Sequence, residues 1–377
     1  MAAPAEVNNF RLVITGGGTG GHLFPGIAVA DQVLENMPQS KVLFIGTDRQ
    51  VDAKVLVNRP FAIATVKCQG LKGKSPRAIL SSLIQLPMAL VASMRILRKF
   101  RPHLVLGVGG YVTGPVVLAA RILGIPTTIH EQNSVPGLAN RLLGKIVDRV
   151  FLSIPGSEKF FPPGKVLLTG NPLRKAILAA GALRKKNPGT ALLVMGGSQG
   201  AHRINILVAE GLQKVHDTLP ADFFVIHQTG RADVEEIRKI YERAGIRARV
   251  EAFIDDMAAV YVQAGLVVSR AGATSLAEIC AMGLPSILIP FPSAADNHQE
   301  YNARMVSERG GAVLLKEEGL DAEVMAATIS GMLQDSEELL RIGEKAGSAA
   351  FPEATEKIVW ECLKLAGFNQ GAALKNV

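Results

Sequence analysis

Cysteine is scarce: Cys68, Cys280 and Cys362 are the only three, an odd number at long spacings. No C-x-x-C pair occurs, which excludes a disulfide framework and a cysteine zinc site and makes a reducing compartment the expectation. Aromatics are few as well, at 5% with a single Trp. Between residues 67 and 101, where cations gather, Phe100 stands alone, so stacking platforms for nucleic acid are missing. The opening MAAPAEVNNF lacks the charged-then-apolar pattern of an export signal. Long apolar runs are missing too. Residues 78–94 carry no charge, but Ser81, Ser82, Gln85, Pro87 and Ser93 break them up, and a membrane span needs about 20 apolar residues. Acid is missing from one long stretch: Ala53 to His130 contains no Asp or Glu, against eleven Lys and Arg. The net charge of +8 is therefore uneven, +11 over residues 1–173 and −3 over 174–377. Such an imbalance points to an anionic partner for the first half alone.

What is present reads as two folded domains: 377 residues, 48% hydrophobic and 20% charged. Residues 11–15 predict a strand, 16–21 a glycine turn, 27–37 a helix and 41–46 another strand. Apolar runs at 104–108 and 127–129 then alternate with helical segments at 78–100 and 116–123. The pattern restarts with a strand at 191–195, a glycine turn at 196–200 and a helix at 201–215. Further strands are expected at 223–227, 249–252, 266–269 and 286–290. This alternation predicts an α/β protein with parallel sheets covered on both faces. Two Rossmann-like domains would face an interdomain cleft, joined by the Gly-, Pro-, Asn- and Lys-rich stretch 170–186. The last helix, 355–365, is compatible with either domain. Ligands of such sheets bind beyond the carboxyl ends of the strands, so two sheets suit a two-substrate transfer.

The glycine loops carry the chemistry. Gly16, Gly18 and Gly21 satisfy G-x-G-x-x-G after a strand, with Asp48 placed to meet a ribose, so a nicotinamide oxidoreductase competes. The physics is less selective: glycines admit an anion to the backbone, and a helix N-terminus adds partial positive charge for any phosphate. A purely structural tight turn is also compatible. Two more such loops occur at 107–114 and 196–201. Three anion-cradling turns exceed what one dinucleotide needs and favour group transfer between two diphosphate-bearing substrates.

Specific motifs accompany these loops in order along the chain: Gly16-Gly17-Gly18-Thr19-Gly20-Gly21-His22 with Phe24-Pro25-Gly26, Gly109-Gly110-Tyr111, and His130-Glu131-Gln132-Asn133. Then come Gly170-Asn171-Pro172-Leu173-Arg174, Gly196-Gly197-Ser198-Gln199-Gly200, Phe253-Ile254-Asp255-Asp256-Met257, Ser269-Arg270-Ala271-Gly272-Ala273-Thr274 and Asp296-Asn297-His298-Gln299. In these the sequence resembles the MurG family of peptidoglycan N-acetylglucosaminyltransferases, over essentially its whole length. The resemblance implies a GT-B glycosyltransferase fold. Residues 1–173 would form the acceptor- and membrane-binding domain, 174–351 the UDP-GlcNAc domain, and the tail 352–377 is a candidate to pack back on the first. The implied reaction is inverting transfer of GlcNAc from UDP-GlcNAc to the C4 hydroxyl of the MurNAc sugar of lipid I, giving β-1,4-linked lipid II. The enzyme would sit peripherally on the cytoplasmic face of the inner membrane. Another UDP-sugar enzyme of this fold, a lipid glycosyltransferase or a UDP-GlcNAc epimerase, is the alternative.

The resemblance also implies residue roles. Ile254 would meet uracil through its backbone, and Glu278, after Ala273-Thr274-Ser275-Leu276-Ala277, would accept hydrogen bonds from the ribose. Ser198 and the amides following Gly272 would hold the diphosphate. Gln299, whose amide both donates and accepts, would bind sugar hydroxyls. Asn133, Arg174, Thr19, Gly20 and Gly21 would approach the donor from the first domain. Gly18, Gly109, Gly110 and Tyr111 would meet the acceptor. His22 is the candidate general base, since neutral imidazole near pH 7 suits removal of a hydroxyl proton; His130 and Glu131 are alternatives. Two positions depart from the usual family pattern, Ala271 and Glu300.

No metal or other cofactor is expected. There is no D-x-D spacing, and the adjacent Asp255 and Asp256 fit a helix cap better. Helix-terminus amides with Arg270 or Arg174 would offset the leaving diphosphate. No carboxylate nucleophile stands out, in keeping with inversion. The stretch 67–101 is the expected membrane contact: Lys67, Lys72, Lys74 and Arg77 precede an apolar helix and Arg95, Arg98, Lys99 and Arg101 follow it. Part of the stripe Ile79, Leu83, Leu86, Leu90, Met94 and Leu97 reads equally as a buried core face, with Leu80, Ile84, Met88 and Val91 beside it.

Overall fold

Along the first strand, β1 (Arg11–Gly16), Leu12 and Ile14 join one apolar cluster and Val13 another. Side chains alternate across a strand, so β1 is buried on both faces, as a parallel sheet between helical layers requires. A computed structural model describes residues 9–17, 20–47, 59–68, 76–186, 189–197 and 200–368. The chain divides into two units, Met1–Arg174 with Glu353–Val377, and Lys175–Pro352.

In the first unit the order after β1 is α1 (Gly20–Asn36), β2 (Lys41–Gly46), β3 (Ala62–Thr65), α2 (Pro76–Phe100), β4 (Leu104–Gly109) and α3 (Thr113–Ile122). Then follow β5 (Thr127–Glu131), α4 (Leu138–Leu143), β6 (Arg149–Leu152) and β7 (Val166–Leu168). The strands form one parallel sheet in the order β3-β2-β1-β4-β5-β6-β7. Leu12, Ile14 and Leu106 pack on one side with Ile27 and Val33 of α1; Val13, Val105 and Ile129 pack on the other with Leu97 of α2 and Val116 of α3.

The second unit runs α5 (Lys175–Lys186), β8 (Ala191–Met195), α6 (His202–Lys214), β9 (Val225–Gln228), α7 (Val234–Arg243), β10 (Ala248–Glu251) and α8 (Met257–Gln263). It continues with β11 (Ala264–Ser269), α9 (Ala273–Met282), β12 (Ser286–Leu288), α10 (His298–Ser307), β13 (Val313–Leu314), α11 (Ala322–Gln334) and α12 (Ser336–Ser348). Its sheet is also parallel, in the order β10-β9-β8-β11-β12-β13. In both sheets the first strand of the unit lies in the middle and the order reverses beside it, the dinucleotide-fold arrangement.

The last helix, α13 (Ala354–Leu365), belongs to the first unit. Its Ile358, Val359, Cys362 and Leu363 complete the cluster around Leu12 and Ile14. The Thr355 hydroxyl accepts from Leu173 N and donates to Leu173 O, each at 3.2 Å.

Two details differ from the sequence expectation. Helix α1 begins at Gly20 and β1 runs through Gly16, so Gly16, Gly20 and Gly21 belong to the flanking elements. Four strands carry no sequence signal: β3, β7 and β13 lie at sheet edges with exposed or half-buried side chains, and β6 is only four residues long. Among the described residues no helix is long and apolar enough to cross a membrane.

Candidate active site

The switch point of the first sheet lies between β1 and β4, where a doubly wound sheet opens a crevice at its carboxyl edge. Here two glycine loops meet backbone to backbone. Gly17 N donates to Gly109 O at 3.3 Å. A Cβ on Gly16 would stand 2.5 Å from Val108 Cγ2, and one on Gly110 would stand 2.4 Å from Gly17 O. Gly109 has φ +102°, and a Cβ there would come within 2.8 Å of His22 Cδ2 and 3.1 Å of Nε2. The half-buried imidazole of His22, in the first turn of α1, thus lies in space that only glycine leaves open. Thr113 Oγ1 donates to Gly109 O at 2.9 Å and lies 3.2 Å from Thr15 O, pinning the second loop to β1. The side chain of Tyr111 is half exposed. Gly18 and Thr19 fall outside the described residues; Gly20 is buried and Gly21 exposed.

His130 and Glu131 are both buried and hydrogen-bonded to their surroundings. His130 is fully buried, with Nε2 3.2 Å from Gly170 O and 2.9 Å from Ser153 Oγ, and Nδ1 3.2 Å from Gln132 Nε2. Burial lowers its pKa to about 4, so the ring is neutral near pH 7. Glu131, 2% exposed, accepts from Asn133 N, Asn133 Nδ2 and Asn140 Nδ2 at 2.9, 3.3 and 2.8 Å. Burial raises its carboxyl pKa against the opposing pull of these bonds. The pair therefore shapes the loop after β5 and holds Asn133 in place. Arg174 stacks its guanidinium 4.5 Å from the ring centroid of Phe24 on α1.

In the second unit the switch point lies between β8 and β11. After β8, Gly197 and Gly200 take φ +89° and +78°, and a Cβ on Gly200 would stand 2.2 Å from Thr229 O. Ser198 falls outside the described residues. After β11, Gly272 is the N-cap of α9 and no side chain caps it, so the first-turn amides at Ala273, Thr274 and Ser275 are directed out of the helix end. Leu276 N makes the first helical bond, to Gly272 O at 2.9 Å. Beyond Ala277, Glu278 is buried at 6% exposure and accepts from Tyr261 Oη at 3.0 Å. It is no solvent-facing carboxylate.

Other expected donor residues divide. Ile254 is buried, and its N–H donates to Gln228 Oε1 at 2.9 Å, leaving its carbonyl as the backbone group to offer a base. Gln299, in the first turn of α10, accepts from Phe291 N at 3.0 Å. Before it, Asp296 and Asn297 both take left-handed φ, 53° and 52°. Asn297 Nδ2 donates to Glu300 Oε2 at 2.7 Å, and this bond with those from Arg304 and Lys316 holds the Glu300 pKa down at about 2. Arg270 is held by groups of its own unit. It pairs with Glu317 and donates to Ile289 O and Pro290 O, both at 3.2 Å. Asp256 caps α8, accepting from Ala259 N at 3.1 Å.

Sequence reasoning passed over the end of β9. Gln228, 5% exposed, also donates from Nε2 to Gly197 O at 3.2 Å. Next to it, His227 lies 3.0 Å from Asn205 Oδ1 and 2.9 Å from Tyr241 Oη, and burial lowers its pKa to about 3. The available signal was a run of polar residues, His227-Gln228-Thr229, at the carboxyl end of an apolar strand. Among the described residues one trio with metal-type ligands, His202, Asp233 and Glu236, brings its atoms within 4.8 Å of one another. Both Asp233 oxygens are engaged there, by His202 Nδ1 at 3.0 Å and Asn205 Nδ2 at 2.7 Å.

Comparison with known proteins agrees with this geometry. Residues 12–152 match the glycosyltransferase family 28 N-terminal domain and residues 191–358 the glycosyltransferase family 28 C-terminal domain. A protein of Desulfotalea psychrophila named UDP-N-acetylglucosamine–N-acetylmuramyl-(pentapeptide) pyrophosphoryl-undecaprenol N-acetylglucosamine transferase is 46% identical over 361 residues, 96% of this chain and 98% of its own. A protein of the same name from Anaeromyxobacter is 45% identical, over 94% of this chain and 93% of its own. The crystal structure of Acinetobacter baumannii MurG superposes with a TM-score of 0.76 at 30% identity, covering 94% of this chain and 99% of that one. With two parallel sheets, glycine loops at both switch points and full-length likeness of this degree, the chain belongs to the MurG family of glycosyltransferase family 28.

Proposed function

We propose that this chain transfers N-acetylglucosamine from UDP-N-acetylglucosamine to the C4 hydroxyl of the MurNAc sugar on an undecaprenyl diphosphate, with inversion. The observation that carries this reading is 46% identity, over 98% of its length, to a relative named for that transfer. The donor is assigned to the second unit: diphosphate against the Gly196–Gly200 loop and the first-turn amides of α9, ribose at Glu278, base at Ile254, sugar at Gln299. The acceptor is assigned to the first unit, at Gly109, Gly110 and Tyr111. His22 Nε2 takes the acceptor proton as the hydroxyl oxygen attacks the anomeric carbon and UDP leaves. A single displacement inverts the anomeric carbon of the α-linked donor sugar, so the product is the β-1,4 link.

The enzyme is further assigned to the membrane surface through α2. Ala89, Ser93 and Leu97 face the core, while Met88 and Val91 are 70% and 46% exposed on a face that continues into Arg95 and Arg98. The test of the reaction is transfer of labelled N-acetylglucosamine to a short-chain lipid-linked MurNAc-pentapeptide. Wild type forms the disaccharide, and His22→Ala loses about 10²–10⁴ in turnover. Release of an epimerised sugar nucleotide without disaccharide would assign an epimerase instead.

A further inference from the structure

The side-chain amide of Gln228 joins two loops: Nε2 donates to Gly197 O, in the loop after β8, and Oε1 accepts from Ile254 N, after β10. The two loops hold opposite ends of the donor nucleotide in the function proposed above, on which this inference rests. We infer that Gln228 is a positioning residue that sets the spacing between the nucleobase end and the diphosphate end of the donor site.

Three features make this residue suited to that task. A side-chain amide donates from its nitrogen and accepts at its oxygen within one rigid plane, so both loops are fixed by a single group. Gln228 is 5% exposed, and its two partners are backbone atoms, so the bonds compete little with water. Its own position is fixed as well. The preceding residue, His227, is clamped between Asn205 and Tyr241, and the following Thr229 receives Asn205 Nδ2 on its carbonyl at 2.8 Å. That same carbonyl stands where a Cβ on Gly200 would fall, so the far end of the phosphate loop abuts the same strand end. Gly197, with φ +89°, has no side chain to hold it, and Gln228 supplies the hold from outside.

The bonds are separable by substitution. Gln228→Glu keeps an acceptor for Ile254 N but sets a carboxylate oxygen against Gly197 O. Gln228→Leu removes both bonds at similar volume. Binding of uridine and of UDP is measured by calorimetry for wild type and both variants, with thermal midpoints to verify folding. The expected result is a roughly tenfold loss of UDP affinity in Gln228→Glu with uridine affinity changed less than about twofold, and loss on both ligands in Gln228→Leu. Gln228→Asn, one methylene short of either loop, gives no rescue. Equal losses on uridine and UDP in Gln228→Glu, or wild-type affinity in both variants, overturn the positioning role. A folded wild type that binds neither uridine nor UDP overturns the donor assignment itself, a different result from either.

Discussion

The imidazole of His22 and the bare Cα of Gly109 share one space: a methyl on Gly109 would lie 2.8 Å from the ring. The residue assigned as base is therefore positioned by the absence of a side chain on a neighbouring strand end.

Gly109→Ala is expected to displace the ring and strain a backbone held at φ +102°. Turnover should fall about a hundredfold, as a misplacement near 1 Å does, with UDP affinity unchanged because the donor is assigned to the other unit. Steady-state kinetics beside UDP calorimetry checks both halves. Full turnover in the alanine variant would remove His22 as base.

Glu278 and Tyr261 make a second pair to separate. Glu278→Gln keeps a carbonyl for the Tyr261 hydroxyl and should leave the thermal midpoint nearly unchanged, while KM for UDP-N-acetylglucosamine rises about tenfold through weaker ribose bonds. Glu278→Ala removes the carboxylate partner of the buried Tyr261 hydroxyl and should also cost about 1–3 kcal/mol of stability. With a 2′- or 3′-deoxy donor the Gln variant should lose little further; an undiminished penalty would place the ribose elsewhere.

Acid should destabilise both units through one buried histidine each. His130 and His227 bind their protons less tightly folded than unfolded, so the unfolded chain takes up the extra proton below about pH 6.5. Stability is complete above that pH and falls as pH drops toward about 4 for His130 and about 3 for His227. The shift at His130 corresponds to about 3 kcal/mol. Glu131, whose carboxyl is pushed upward, acts oppositely and favours the fold as pH falls, which should make the second unit the more acid-sensitive. Denaturant titrations at pH 7.5, 6 and 5 read this slope, and His227→Gln should flatten it. A slope unchanged by that substitution would mean the histidine is not the sensor.

Helix α2 offers a test of the membrane assignment. Met88→Asp with Val91→Asp should lower sedimentation with anionic vesicles at least tenfold, and replacing Arg95 and Arg98 by Gln should remove about 1 kcal/mol of binding per cation and much of its salt dependence. Binding to neutral vesicles as strong as to anionic ones would contradict the basic face.

The parallel architecture was legible because a strand buried on both faces and a glycine-rich turn leave local marks, as at β1 and β8. Edge strands such as β3 and β13 left none, because none of their side chains is fully buried. The helix start after β11 was legible because its residues are contiguous, Gly272 with Ala273 and Thr274. The site was not legible where a partner is remote. Nothing beside Arg270 in sequence announces its pair with Glu317, and nothing beside Gln228 announces that its amide reaches Gly197 and Ile254. His130 and Glu131 sit in a motif, but burial and their own loop consume their hydrogen-bonding capacity.

Helix α13 has a consequence for biosynthesis. Ile358, Val359, Cys362 and Leu363 close the apolar cluster of the first unit, yet the ribosome makes them after the whole of the second. The inserted unit is complete while its host still lacks one wall. The half of the enzyme translated first is thus the half that finishes folding last. Until then it carries an exposed apolar strip over β1 and α1, the kind of surface that makes an incompletely folded chain prone to aggregate. Chain termination before residue 353 would leave that strip open permanently, turning a late truncation into a defect of the amino-terminal domain.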